Sequence, residues 1–179
     1  MIVVDVETGG LDEKENPLLS IGAVDFETKE EFYVEMKPRE GSKCTKEALE
    51  INGIEPYSKK WKDNGTTKWA MEGFQAWIWG RDLPLTGHNP SFDLKFLNYN
   101  FSFHNIEQRI PYRTVDLHSI AHFKLIQERG IPDRKLSSDT IYELLGMEPE
   151  PRPHNALNGA KWEAEAFRRL FGNKIHLCL

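Results

Sequence analysis

The sequence predicts an α/β fold in which a mixed sheet is covered by helices. Two observations carry that expectation. Three short apolar runs fall within the first 36 residues, and later apolar runs each lead into a segment with helical periodicity. Strands first, then alternating strand and helix, place a sheet at the centre with helices on its faces. With 179 residues, 39% hydrophobic and 28% charged, the chain can fill one core, and a single domain over 1–179 is expected.

The first strand is Met1–Glu7, four apolar residues running into Asp5, Val6 and Glu7, with Thr8-Gly9-Gly10 as the turn after it. A charged loop, Asp12–Asn16, leads to strands at Leu18–Phe26 and Phe32–Met36, joined by the charged turn Glu27–Glu31 and read as an antiparallel meander. Lys46–Ile51 reads as a short helix and Thr67–Trp79 as a longer one, with Trp69, Phe74, Trp77 and Ile78 recurring at helical spacing. Leu83–Gly87 is a short buried strand. Asn89-Pro90 opens the next helix, Asn89 as N-cap and Pro90 at the first position, where its missing N–H costs nothing. Tyr112–Val115 is a further strand, and Asp116 caps a helix over Leu117–Arg129 that stops at Gly130. Ser137–Leu145 is helical. A proline-rich segment, 149–153, then delivers His154 to the entrance of a last helix, Leu157–Phe171.

Asp5 and Glu7 stand two apart on a strand and so point to the same face. Carboxylates placed side by side repel, and a divalent cation or shifted pKa values resolve the conflict. An exposed strand end would carry the same pair without consequence. Asp93, in the first turns of a helix, and His154, just before another, add chemistry from two separate elements. Hard divalent ions take oxygen ligands from several elements, and two such ions can activate a water and stabilise a leaving oxygen. A neutral histidine nearby can take the water's proton.

Other features read more plainly. The net charge of −5 argues against a nucleic-acid coat held by charge alone. Cys44 and Cys178 make neither a disulfide framework nor a zinc cluster, which suits a reducing setting. No membrane span or secretion signal is visible, and a cytoplasmic location is expected. His118 and His122, four apart, lack a third ligand and read as core or surface histidines, while Asp116 reads as an N-cap. Lys59-Lys60-Trp61-Lys62 reads as a solvated loop face, and Trp69, Trp77 and Trp79 as helix core and rim.

The segments VDVETGG, GHNPSFDLKFL and HNALNGA, in that order, resemble the three motifs of the DEDDh-type 3′–5′ exonucleases, of the RNase H-like fold. LLSIGAV and EALEINGI extend the resemblance across nearly the whole chain. It implies a five-stranded mixed sheet, an antiparallel meander of three strands plus two parallel strands. It also implies two Mg2+ or Mn2+ ions: Asp5 would bridge both, Glu7 would bind the ion carrying the attacking water, Asp93 would hold the second, and His154 would be the general base. Thr8, Gly9 and Leu11 would lie at the terminal nucleotide. Ile51 and Asn52 would contact its base and sugar, with His88, Asn89 and Phe92 in the same pocket. Phe92 and Ile51 fit core packing equally well, and His88 fits a hydrogen-bonded strand end.

One position departs from the family. Its third motif carries an aspartate five residues after the histidine, on the ion with the attacking water, and here that residue is Gly159. Three explanations stand: a variant disabled by hand, a weakened natural enzyme, or another acid in its place. Glu163 lies one helical turn further on the same face, but its simplest reading is a solvated surface acid; Asn158 points roughly a quarter-turn away. The expectation is therefore a disabled or weakened enzyme, with the ion beside Gly159 held poorly. The substrate would be the 3′ end of single-stranded DNA or RNA, released as nucleoside monophosphates, with no membrane partner; a polymerase partner and a homodimer stay open. The competing readings are a catalytically inactive nuclease-fold module that binds 3′ ends or nucleotides, and a small-molecule phosphodiesterase.

Overall fold

A computed structural model of the chain describes residues 1–107, 110–128, 130 and 135–172, and for residues 62, 127 and 128 the backbone alone. Five strands form one sheet in the order β3-β2-β1-β4-β5. They are β1 (Ile2–Thr8), β2 (Leu18–Asp25), β3 (Glu31–Glu35), β4 (Leu85–Gly87) and β5 (Thr114–Asp116). β1 pairs antiparallel with β2 and β2 with β3, while β1–β4 and β4–β5 are parallel. The expected mixed sheet, three strands antiparallel and two parallel, is the sheet observed.

Alternation along β1 sorts the core into two layers. Ile2, Val4 and Val6 face a layer completed by α3 (Thr67–Ile78) and α4 (Pro90–Phe103), including Phe74, Phe96 and Phe101. Val3 faces the opposite layer, built with α5 (Leu117–Ala121), α6 (Ser138–Leu144) and α7 (Ala156–Phe171). Asp5 and Glu7 share the parity of Val3, so the acid pair is directed at the α7 side. Two short helices, α1 (Lys46–Asn52) and α2 (Lys59–Lys62), precede α3.

α7 comes close to the sheet because glycine lets it. A Cβ on Gly22, the residue opposite Asp5 in β2, would stand 2.2 Å from the Ala156 carbonyl carbon. The first turn of α7 therefore lies directly over the middle of β1. On the other flank β4 is only three residues long, and its pairing with β1 ends at Val3–Thr86. Beyond that point β1 has a free edge, and a crevice opens at the carboxyl ends of the parallel strands, where ligands of open α/β sheets commonly bind.

Several local expectations change. The helix foreseen over Leu117–Arg129 is α only to Ala121; His122–Glu128 is π-helical, and Arg129 lies outside the described residues, as does Cys178. π-helical turns leave no propensity signal in the sequence. Asn89 sits at the N-cap of α4 but in left-handed backbone (φ 58°), its side chain accepting from the Ser91 hydroxyl instead of capping the helix. Trp69 is 58% exposed, its ring covering Gly65 rather than entering the core. Trp61, taken for part of a solvated face, is buried on α2, and its neighbour Lys60 pairs with Glu35 at 3.6 Å.

Candidate active site

The open edge of β1 is closed by an acid. Asp93, buried in the first turn of α4, accepts a hydrogen bond from the Val6 N–H at 3.1 Å, replacing the strand partner that β4 no longer provides. The start of α4 is fixed by Asp116, whose Oδ1 accepts from the Asn89 N–H at 3.0 Å while it also caps α5. The N-cap role expected of Asp116 is thus present, with a second link added.

A cavity of about 210 Å³ lies between β1, the β4–α4 turn, α6 and α7, and Asp5, Glu7, His88, Glu150, His154 and Glu163 are among its walls. Its charge is one-sided. Burial pushes the Asp5 carboxyl well above the usual range, and the negative charge of Glu163 adds more than that of Asp93, Glu7 or Glu150. Burial lifts Glu7 to about 8, with Glu150 adding to it. Burial also lifts Asp93 to about 8, against the opposing hydrogen bond from Val6. Glu150 rises to about 7 by burial, with Asp139 contributing. His154 moves the other way: burial, then the Arg152 charge, lower its pKa, which keeps the imidazole neutral. Its Nδ1 faces Glu150 Oε2 at 3.6 Å.

Polar satisfaction is incomplete here. Among the described residues, Glu150 Oε1, His154 Nε2 and Glu163 Oε2 are buried side-chain atoms without a hydrogen-bond partner, and all three belong to residues of this cavity. Buried orphan groups are costly and rare in folded proteins. Among the described residues no three histidine, cysteine or acidic side chains are drawn together into a ready-made cation cluster. The donor set nonetheless fits a hard divalent ion: carboxylates from β1, α4, α7 and the segment before α7, mutually repelling, with one oxygen of Glu150 and one of Glu163 left unpaired.

Of these acids, Glu150 is not singled out by the sequence, and Glu163 is weighed there only as a replacement acid ranked below a solvated surface one. Glu163, expected on the surface, is only 6% exposed and lies in the buried stripe of α7 with Ala156, Gly159, Ala160, Ala164 and Phe167. The stripe's three- and four-residue spacing is the signal that places it inside. Glu150 sits in the irregular segment before α7, where no periodicity marks a buried face.

A second, larger cavity of about 620 Å³ opens beside the first and shares Val6 and Glu7 with it. Thr8, Leu11, Ile51, Asn52 and Phe92 line it. Leu11 and Ile51 are 77% and 51% exposed, apolar side chains presented to a ligand by two separate elements. Asn52 is buried and bonded at both ends of its amide: its Nδ2 donates to the Thr8 carbonyl at 3.2 Å and its Oδ1 accepts from the Ile54 N–H at 2.9 Å. It shapes the wall by holding α1 against the end of β1. Three residues expected in this pocket are elsewhere. Gly9 is buried in the turn, where a Cβ would meet Pro17 and Cys44; Asn89 faces solvent; His88 lines the acid cavity, its ring Nε2 at 3.1 Å from the Leu136 carbonyl. Each has backbone duties that the motif alone does not reveal.

The cavities are joined by more than a shared wall. The His154 N–H donates to the Ile51 carbonyl at 3.3 Å, and Pro153 packs against Gly53, which ends α1 in left-handed backbone (φ 62°). The neutral histidine is thereby held at a fixed distance from the apolar pocket. His118 and His122 have ring centroids 6.4 Å apart, and among the described residues no third histidine, cysteine or acid joins them in a group that could hold a metal ion.

Known proteins resemble this chain in sequence and in fold. The exonuclease family RNase_T matches residues 2–167. Ribonuclease T of Vibrio parahaemolyticus is 28% identical over 182 residues, 93% of this chain and 82% of its own length. The 3′–5′ DNA exonuclease Cap18 of Escherichia coli is 27% identical over 186 residues, 93% of this chain and 89% of its own. Among solved structures, the nuclease domain of 3′hExo, described as a DEDDh family member bound to rAMP, superposes with a TM-score of 0.72 at 16% identity, covering 95% of this chain and 90% of that one. With a mixed five-stranded sheet, an acid-lined crevice at the end of β1 and a family match spanning almost the whole chain, the protein belongs to the DEDDh 3′–5′ exonucleases.

Proposed function

We propose that this exonuclease removes terminal nucleotides from the 3′ ends of single-stranded DNA or RNA in the cytoplasm, releases nucleoside monophosphates, and depends on Mg2+ or Mn2+. The observation that carries the reading is the adjoining of the two cavities: an apolar pocket of about 620 Å³, fit for one nucleotide, shares Glu7 with a chamber of carboxylates. Asp5, Glu7 and Asp93 would hold the metal, which supplies a polarised water and charge for the departing oxygen. Leu11, Ile51 and Phe92 take the terminal base, and Thr8 and Asn52 keep the turn beneath it in place. His154, neutral and with an unpaired Nε2, accepts the proton of the attacking water, while Glu150 beside Nδ1 orients the ring. A pocket for one nucleotide favours unpaired ends, because a paired terminus must first be unstacked.

Gly159 favours a second reading, a module that holds 3′ ends without cutting them. The test is direct: 5′-labelled single-stranded DNA and RNA are incubated with the folded protein and Mn2+. Stepwise shortening from the 3′ end, with monophosphates released, is the expected result. Intact strands that remain bound would replace the enzyme by the binding module, and intact, unbound strands would remove both.

A further inference from the structure

Gly159 is not simply a missing acid. A Cβ at that position would stand 2.1 Å from Asp5 Oδ2 and 2.9 Å from Asp5 Cγ. Asp5 occupies the space that a side chain at 159 would need. The residue one turn on, Glu163, is 6% exposed, and helix side chains lean toward the N-terminus, back along α7 toward Gly159. A second glycine accommodates it: a Cβ on Gly87 would meet Glu163 Oε2 at 3.2 Å and the Val4 carbonyl at 3.0 Å. Glu163 Oε1 accepts from the His88 N–H at 3.0 Å, and Oε2 is buried without a partner at the cavity wall.

We propose that Glu163 supplies the fourth acid of the metal site, in place of the aspartate that the family motif resembled by HNALNGA would put at Gly159. This rests on the metal-dependent reading above and amends one part of it: the chain has moved its fourth carboxylate one turn along α7 rather than lost it. A turn is about 5.4 Å of helix, and the extra methylene of glutamate with its backward lean recovers part of that distance. The competing role is structural, a clamp on the His88 N–H. The other orphaned acid, Glu150, already has one oxygen facing His154 and acts on the ring.

Calorimetric titration of Mn2+ into the metal-free full chain separates these roles without any turnover measurement. Glu163→Gln keeps an acceptor for His88 and the same volume but removes the charge. It is expected to weaken Mn2+ binding at least about tenfold or to lose one binding event, with a metal-free melting temperature equal to or above that of the parent. Glu163→Leu, which also removes the hydrogen bond, is expected to lose Mn2+ in the same way, so either variant that melts cooperatively suffices. Glu165→Gln, an exposed acid of the same helix paired with Arg169, serves as the control and should bind Mn2+ as the parent does. Parent-like binding by Glu163→Gln, or loss in Glu150→Gln in its stead, overturns the assignment of Glu163 while leaving metal dependence standing. A parent chain that takes up no Mn2+ overturns both together.

Discussion

The two cavities at the end of β1 share Val6 and Glu7 as a wall and differ in nearly everything else. In the larger one the polar groups are finished: the Asn52 amide and carbonyl are both bonded, and the Thr8 hydroxyl donates to the Gly10 carbonyl at 2.7 Å. What it offers a ligand is exposed apolar surface from Leu11 and Ile51. In the smaller one the apolar packing is finished and the polar groups are not, with two carboxylate oxygens and one imidazole nitrogen left unpaired. A site that binds by burial can be complete without its ligand. A site that works through charge must hold its carboxylates in mutual repulsion until a cation arrives, and that costs stability in the metal-free fold.

The contrast breaks most sharply at Asp5. Asp5→Asn removes the charge at the centre of the acid chamber while leaving the apolar pocket intact. Metal ligation contributes several kcal/mol to such reactions, so turnover is expected to fall on the order of 10³-fold. The metal-free protein should meanwhile melt at the same or a higher temperature, because the substitution relieves a buried charge crowded by Glu163 and Asp93. Turnover within about tenfold of the parent would show that the acid chamber is not where the chemistry occurs.

The same contrast explains how far the site was legible in the sequence. Asp5 and Glu7 announced themselves because strand alternation is rigid, and Asp93 and His154 because each sits beside a recognisable helix start. Gly159 was visible as a departure, but its cause was not, since only the folded chain brings Asp5 against it. Glu163 was misjudged by its chemistry: a glutamate in a helix is usually solvated, and the small residues around it on α7 were the better guide. Glu150 had no periodic context at all. The pocket assignments failed for Gly9, His88 and Asn89 because proximity in a motif does not say which way a side chain turns after the backbone has been bonded. At the level of the fold, the places of the strands and the longer helices followed from hydrophobic period and the five-stranded mixed sheet from the family resemblance, whereas the π-helical stretch and the exposure of Trp69 depended on tertiary contacts.

The apolar side of the comparison predicts a smaller and differently shaped effect. Ile51→Ser or Leu11→Ser removes apolar surface that stands exposed in the pocket and that a bound base would cover. Burying such a group is worth ~1.5 kcal/mol, so KM for an oligonucleotide is expected to rise about tenfold. The kcat should stay within about twofold, since the contact is the same before and during reaction. Steady-state kinetics on one labelled oligonucleotide separates the two constants. A fall in kcat with unchanged KM would mean these residues act on the acid chamber, through the Ile51–His154 backbone bond, rather than on the nucleotide.

The smallest effect is on stability, and its sign is fixed by the acids. Glu7 and Asp93 are lifted to about 8 from ordinary values of 4.5 and 3.8, and Glu150 to about 7. Between those ordinary values and about 8 the folded chain holds protons that the unfolded chain releases, so stability falls as pH rises through that window. In EDTA the melting temperature is therefore expected to fall steadily between pH 5 and pH 8, each kcal/mol lost lowering it by about 2–4 °C in a chain of this size. Mn2+ binds the carboxylates in their charged form, so it should stabilise most at pH 8 and flatten the profile. A melting temperature that rises with pH in EDTA would mean that the fold itself already stabilises the carboxylates in their charged form. The acid chamber would then be as finished as its apolar neighbour, and the difference between the two cavities would be one of shape alone.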